Sequence, residues 1–133
     1  MVALNFAIPK EAWIRESGQR NGAVLPAVAI DSWESSLQKV AEFQQLGDDW
    51  DGLGAIAPSQ ELVLSALALA HLLQERGVPA PSRVVAGLDG VIAFEWQLPD
   101  GTYADVEIVR PFFAEVMLLE PGKPAKHWNL PTA

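Results

Sequence analysis

At 133 residues, half of them apolar and none of them cysteine, the chain has the length of one domain that can bury a core unaided. It lacks the residues for a disulfide framework, a thiolate nucleophile or a cysteine-based zinc or iron–sulfur site. The net charge of −8 argues against nucleic-acid phosphate as a partner, since that contact relies on Lys and Arg displacing counterions, and makes a basic protein the easier electrostatic complement.

Three segments are expected: an N-terminal arm over 1–30, an α+β domain over 31–120 and an extended C-terminal tail over 121–133. Met1-Val2-Ala3-Leu4-Asn5-Phe6 has no basic leader followed by a long apolar run, so a cytoplasmic protein is expected. In the arm, Pro9 suits a first helical turn that Glu11, Ala12, Trp13 and Ile14 extend until Ser17-Gly18, and Ala23-Val24-Leu25 reads as a short strand. Asp31 and Glu34 resemble a capping box that opens a first helix. That helix places Trp33, Leu37, Val40, Ala41 and Phe43 on one side and stops at Gly47.

The stretch Asp48-Asp49-Trp50-Asp51-Gly52-Leu53-Gly54-Ala55-Ile56-Ala57-Pro58 separates two helical patterns. Gly52 and Gly54 permit positive φ, and Asp51-Gly52 is a turn pair, so a tight, ordered loop is expected. Trp50 has two readings: it folds back and pins the loop to the core, or it stacks on a ligand. A calcium loop fails on ligand count, because from Asp49 the third position is Asp51, the fifth Leu53 and the twelfth Gln60.

Ser59 caps a second helix, and Arg76-Gly77, followed by Pro79 and Pro81, ends it. Its apolar run, Leu62 to Leu73, is well short of the ~20 residues of a membrane span. Besides a main face of Leu62, Ala66, Leu69, Ala70 and Leu73, Leu64, Ala68 and Leu72 form a second apolar arc. That arc calls for cover by the N-terminal arm or by another subunit, so homo-oligomerisation through the arm or helix 59–76 is one expectation.

From Ser82 the pattern alternates every second residue. Arg83–Ala86, Val91–Leu98, Thr102–Val109 and Phe112–Leu119 read as four antiparallel strands. The Pro99-Asp100-Gly101 loop sets a register pairing Leu98 with Thr102, Trp96 with Ala104, Phe94 with Val106 and Ile92 with Ile108. One face is then apolar throughout, and on the other Glu95 stands opposite Asp105. That second face is either a hydrated outer surface or an acidic surface, formed by Glu95, Asp105 and Glu107 with Glu115, for a basic partner. Acid–base work by these carboxylates would need a cleft that raises one pKa. In the tail, His127-Trp128 is placed either to dock on that acidic face or to fray.

Trp50-Asp51-Gly52-Leu53-Gly54-Ala55-Ile56-Ala57-Pro58, with Asp89-Gly90-Val91-Ile92-Ala93-Phe94-Glu95-Trp96 downstream, resembles small bacterial proteins of unassigned function. Those proteins carry a W-D-G-x-G-A-x-x-P-type loop, a helix and a D-G-x-I-x-x-E-W strand. The resemblance covers roughly residues 48 to 98 and implies that Trp50, Asp51, Gly52, Gly54, Glu95 and Trp96 belong to one architecture, with the loop near the hairpin.

The sequence thus describes an α+β two-layer domain with two helices on one face of an antiparallel sheet of about four strands. It contains no nucleophile, dinucleotide or phosphate-loop motif and implies no cofactor or metal. The favoured function is a non-enzymatic interaction module of inhibitor, antitoxin or immunity type. The alternative is a small-ligand or carbohydrate site, hydrolytic in its extreme form, built from Asp49, Trp50, Asp51 and Glu95.

Overall fold

The computed structural model describes residues 4, 6–9, 13 and 30–131. The first helix, α1 (Ile30–Glu42), runs into a 3-10 turn at Phe43–Gln45. Its buried stripe is centred on Trp33, Val40 and Phe43, and the Trp33 indole N–H donates to the Val78 carbonyl at 3.0 Å. Ala41, expected on that stripe, is exposed, and Ser36 is buried instead. Burial of these three side chains fixes the helix rotation, and a single methyl on the flank adds too little apolar area to alter it. Asp31, expected to cap this helix from outside, is itself helical, the second residue of α1, and its side chain lies outside what the structure describes, as does the strand expected at Ala23-Val24-Leu25. Of the predicted arm helix only Trp13 falls within it; that residue is helical, and its amide donates to the Pro9 carbonyl at 3.3 Å.

The second helix, α2 (Gln60–Glu75), has both ends closed as the sequence suggests. The Ser59 hydroxyl accepts from the Leu62 amide at 3.1 Å, satisfying one of the donors left free by the first turn. At the other end Gly77 takes φ 79°, which lets its amide reach the Gln74 carbonyl and the Val78 amide reach the Leu73 carbonyl. Those two bonds, with Val78 and Leu73 both buried, constitute a Schellman cap. Leu62, Val63, Ala66, Leu69, Ala70 and Leu73 are all core residues. In the second apolar arc Ala68 and Leu72 are also buried within the single chain, and Leu64 remains exposed.

Five antiparallel strands follow in chain order: β1 (Arg83–Ala86), β2 (Ile92–Gln97), β3 (Tyr103–Arg110), β4 (Phe113–Leu119) and β5 (Lys126–Leu130). The register of β2 on β3 is the predicted one: Trp96 faces Ala104, Phe94 faces Val106 and Ile92 faces Ile108. The turn that sets it has Gly101 at φ 93°, the Leu98 amide on the Thr102 carbonyl and the Thr102 amide on Asp100 Oδ1 at 2.9 Å. The fold is therefore α+β with a five-stranded sheet rather than about four strands. The added strand comes from the expected tail, where Trp128 and Leu130 face inward opposite Val116 and Ala114. Its alternation is only five residues long and sits between prolines, which obscures it in the sequence.

The inner sheet face, with Ile92, Phe94, Trp96, Ala104, Val106, Ile108, Ala114, Val116 and Leu130 almost wholly buried, is the floor of the core. Helix α1 packs against β1, and α2 packs against β2 and β3. The N-terminal residues supply the rest: Phe6, Ile8 and Trp13 are core side chains. Phe6 meets Trp96 edge-on at 5.3 Å and lies 6.2 Å from Trp128, while Trp13 meets Phe112 edge-on at 6.2 Å. Buried Ser65 ties helix to sheet, its hydroxyl donating to the Glu61 carbonyl and accepting the Phe112 amide at 3.0 Å.

Candidate functional site

Because side chains alternate across a strand, every residue that does not enter the core stands on the opposite sheet face. One rung of that outer face crosses all five strands as Arg83, Glu95, Asp105, Met117 and His127. The next carries Val85, Ala93, Glu107, Glu115 and Asn129. Two like-charged pairs, Glu95 with Asp105 and Glu107 with Glu115, thus face each other on adjoining rungs. Like charges directly opposite are unfavourable. Glu95, Asp105 and Glu107 are only partly exposed, so water screens them less than it would on an open loop.

The surroundings of each acid differ. Glu95 holds an ion pair with Arg83, 2.5 Å from Nε to Oε1, which raises the guanidinium above its ordinary pKa. Burial raises the Asp105 carboxyl, opposed by a hydrogen bond from the Tyr103 hydroxyl at 3.3 Å and by the His127 charge, and assisted by Glu95. Burial also raises Glu107, with Asp89, Asp105 and Glu115 adding to the effect. The Tyr103 phenol is pushed up to about 12, first by burial and then by the charges of Asp105 and Glu95. His127 thus reaches this face through β5 of its own chain, whereas Trp128 turns to the core side.

The loop between the helices is built by its own acids. Asp49 Oδ1 accepts the Gly54 amide at 2.6 Å, Asp51 Oδ1 accepts the Leu53 and Ala55 amides at 2.9 and 3.0 Å, and Asp48 Oδ1 accepts the Ala57 amide at 3.1 Å. Those backbone bonds hold the Asp51 carboxyl below its ordinary pKa. Asp49 takes φ 65°, a conformation glycine usually fills but aspartate tolerates, and its amide donates to the Ala55 carbonyl at 2.6 Å. The expected role of Trp50 as a pin to the core is corrected. Its ring is only partly buried, and its N–H donates to the Ile56 carbonyl at 3.2 Å, so the indole braces the loop across itself. The ring stays local because the carboxylate-to-amide bonds already close the loop on a small radius.

The loop docks where β1 turns into β2. Ile56 forms a parallel bridge with Asp89, its amide donating to the Leu88 carbonyl at 2.8 Å. Gly90, at φ 86°, allows the approach, since a Cβ there would stand 3.3 Å from Ile56 Cγ2 and 3.4 Å from the Ala57 carbonyl oxygen. The structure therefore brings Asp49, Trp50 and Asp51 together in one loop and Glu95, Asp105 and Glu107 together on the sheet. Asp89 stands between the two groups, in the turn beside the loop and close enough to Glu107 to act on its carboxyl.

Sequence reasoning did not single out Asp89, Tyr103, Leu53, Ile56 or Leu88. Leu53 is 89% exposed, Leu88 66% and Ile56 55%, and the sequence signal for such exposure is a bulky apolar residue set among glycines and aspartates. Chemically, the loop carboxylates act as internal caps, Oδ1 of Asp48, Asp49 and Asp51 each accepting from a backbone amide, and Glu95 stands apart from them on the sheet. Among the described residues no group of three or more His, Asp and Glu side chains is placed to hold a metal ion, and no helix is long and apolar enough to cross a membrane. The chain matches no family model, no curated protein and no solved structure.

Proposed function

We propose that this protein is a non-enzymatic interaction module whose acidic outer sheet face receives a basic protein partner, as inhibitors, antitoxins and immunity proteins do. The observation that supports this reading is the stacking of the Glu95–Asp105 and Glu107–Glu115 pairs on adjoining rungs. A fold retains such repulsion at the expense of stability, and sites held against stability are where function resides. A lysine- or arginine-rich surface laid on this face would relieve the repulsion, so the partner gains from an arrangement that the free protein bears.

The test is capture from the native host on immobilised protein, wild type against a Glu95→Gln, Asp105→Asn, Glu107→Gln triple variant, with elution by salt. A basic partner that is released as ionic strength rises and is lost from the triple variant supports the proposal. Capture that is indifferent to the three substitutions refutes it.

A further inference from the structure

Five large apolar side chains are prominently exposed among the described residues, and three of them belong to the docked pair of segments: Leu53 and Ile56 to the loop, Leu88 to the β1–β2 turn that Ile56 bridges. Singly exposed leucines are ordinary, whereas a contiguous set marks a contact surface. The backbone brings them into one region: Ile56 and Leu88 are joined by an amide-to-carbonyl bond of 2.8 Å, and Leu53 stands three residues before Ile56 in the same loop, its amide donating to Asp51 Oδ1. The platform is also rigid before anything binds, because Asp48, Asp49, Asp51 and Trp50 all fasten the loop to itself. Pre-ordered anchors forfeit little entropy on association.

From this placement we infer that Leu53, Ile56 and Leu88 form an apolar anchor site for a partner segment in which nonpolar side chains are flanked by Lys and Arg. Charge complementarity selects that occupant. Asp48, Asp49 and Asp51 belong to the loop that carries Leu53 and Ile56, and Asp89 follows Leu88 directly. Asp89 stands in the turn that leads into β2, where Ala93 pairs with Glu107, and its charge acts on that carboxyl, so the acidic surroundings of the anchor continue into the acidic face of the sheet. A basic partner lying on the face would therefore find, at one end, a place to bury nonpolar groups. The inference rests on the acidic-face reading and adds to it the source of affinity that salt cannot screen.

Two peptides of equal length and equal lysine content, one completed with serine and the other with leucine, test the inference by titration into the labelled protein followed through amide shifts. The leucine-bearing peptide is expected to move the amides of Leu53, Ile56 and Leu88 and to bind wild type at least about tenfold tighter than its serine counterpart, or about 1.4 kcal/mol. The double variant Leu53→Ser, Leu88→Ser should lose that increment and keep its affinity for the serine peptide. Both side chains are largely in solvent, so the substitutions leave the core intact. Leu64→Ser, at another exposed leucine on α2, should keep the increment. An increment that is absent in wild type, or that survives in the double variant, overturns the inference. A serine peptide that fails to bind wild type, while the leucine peptide binds wild type and not the double variant, refutes the acidic-face reading and leaves the anchor site standing.

Discussion

Replacing Glu107 with Gln should make the protein more stable at neutral pH. Glu107 faces Glu115 directly across the ladder, and its carboxyl is held above the ordinary 4.5 by burial and by the charges of Asp89, Asp105 and Glu115. A like-charged cross-strand pair costs about 0.2–1 kcal/mol, and the two further acids place the sum toward the upper half, ~0.5–1 kcal/mol after solvent screening. With about 2.1 cal/mol/K of unfolding entropy per residue, 133 residues give ~0.28 kcal/mol/K, so the expected rise in Tm is about 2–4 °C. The direction with pH follows from linkage. A carboxyl with a raised pKa in the folded state contributes its full stability below the unfolded value, near 4.5, and loses it as pH rises through the folded value. The gain from Glu107→Gln should therefore be present at about pH 7, vanish by about pH 3.5, and shrink at ~1 M salt, where the Debye length is about 3 Å. Calorimetry of both proteins across that range is the assay. An unchanged or lower Tm at neutral pH, or a gain that persists in acid, would sink the claim that these acids repel one another on the sheet.

Three other outcomes follow from particular contacts. Tyr103 is the one tyrosine of the chain, so an ultraviolet titration reports it alone: the midpoint should fall at about 12, and Asp105→Asn should bring it down without reaching 10 because burial, the largest cause, is untouched. Gly90→Ala, which forces a Cβ against Ile56 and Ala57 at φ 86°, should lower stability by about 1–2 kcal/mol in urea and shift amides of the loop at 48–57. Ser65→Ala strands the Phe112 amide at a buried contact and should cost about 1–3 kcal/mol by the same measurement, against little change for Ser35→Ala on the exposed side of α1.

Local signals with a mechanism carried much of the fold. The Pro99-Asp100-Gly101 turn fixed the register of β2 and β3 because its length and its glycine leave one pairing. Ser59 and Gly77 located the ends of α2 through bonds that only those residue types make readily. The acidic pair Glu95–Asp105 followed directly from that register. What the sequence hid depended on distant chain. Phe6, Ile8 and Trp13 show no sustained period, and the aromatic partners of Phe6 and Trp13, namely Trp96, Trp128 and Phe112, lie far along the chain. Trp50 misled because an indole usually seeks the core, and here the short-range competition for the Ile56 carbonyl prevails. The anchor leucines were invisible for a related reason: alternation and helical period report which residues go inside, and neither pattern extends into a loop.

Neighbouring strands in this sheet are also neighbours in the chain, so the meander can be laid down one hairpin after another with short searches. The contact between Phe6 and Trp128 obeys no such economy of distance, since it joins the two extremities of the sequence. A chain clipped before β5 would keep the Trp96 contact of Phe6 and lose its Trp128 neighbour, opening the inner sheet face along the β4 edge. Such an opening would expose Val116 and Ala114, buried opposite Trp128 and Leu130, to proteases and to self-association.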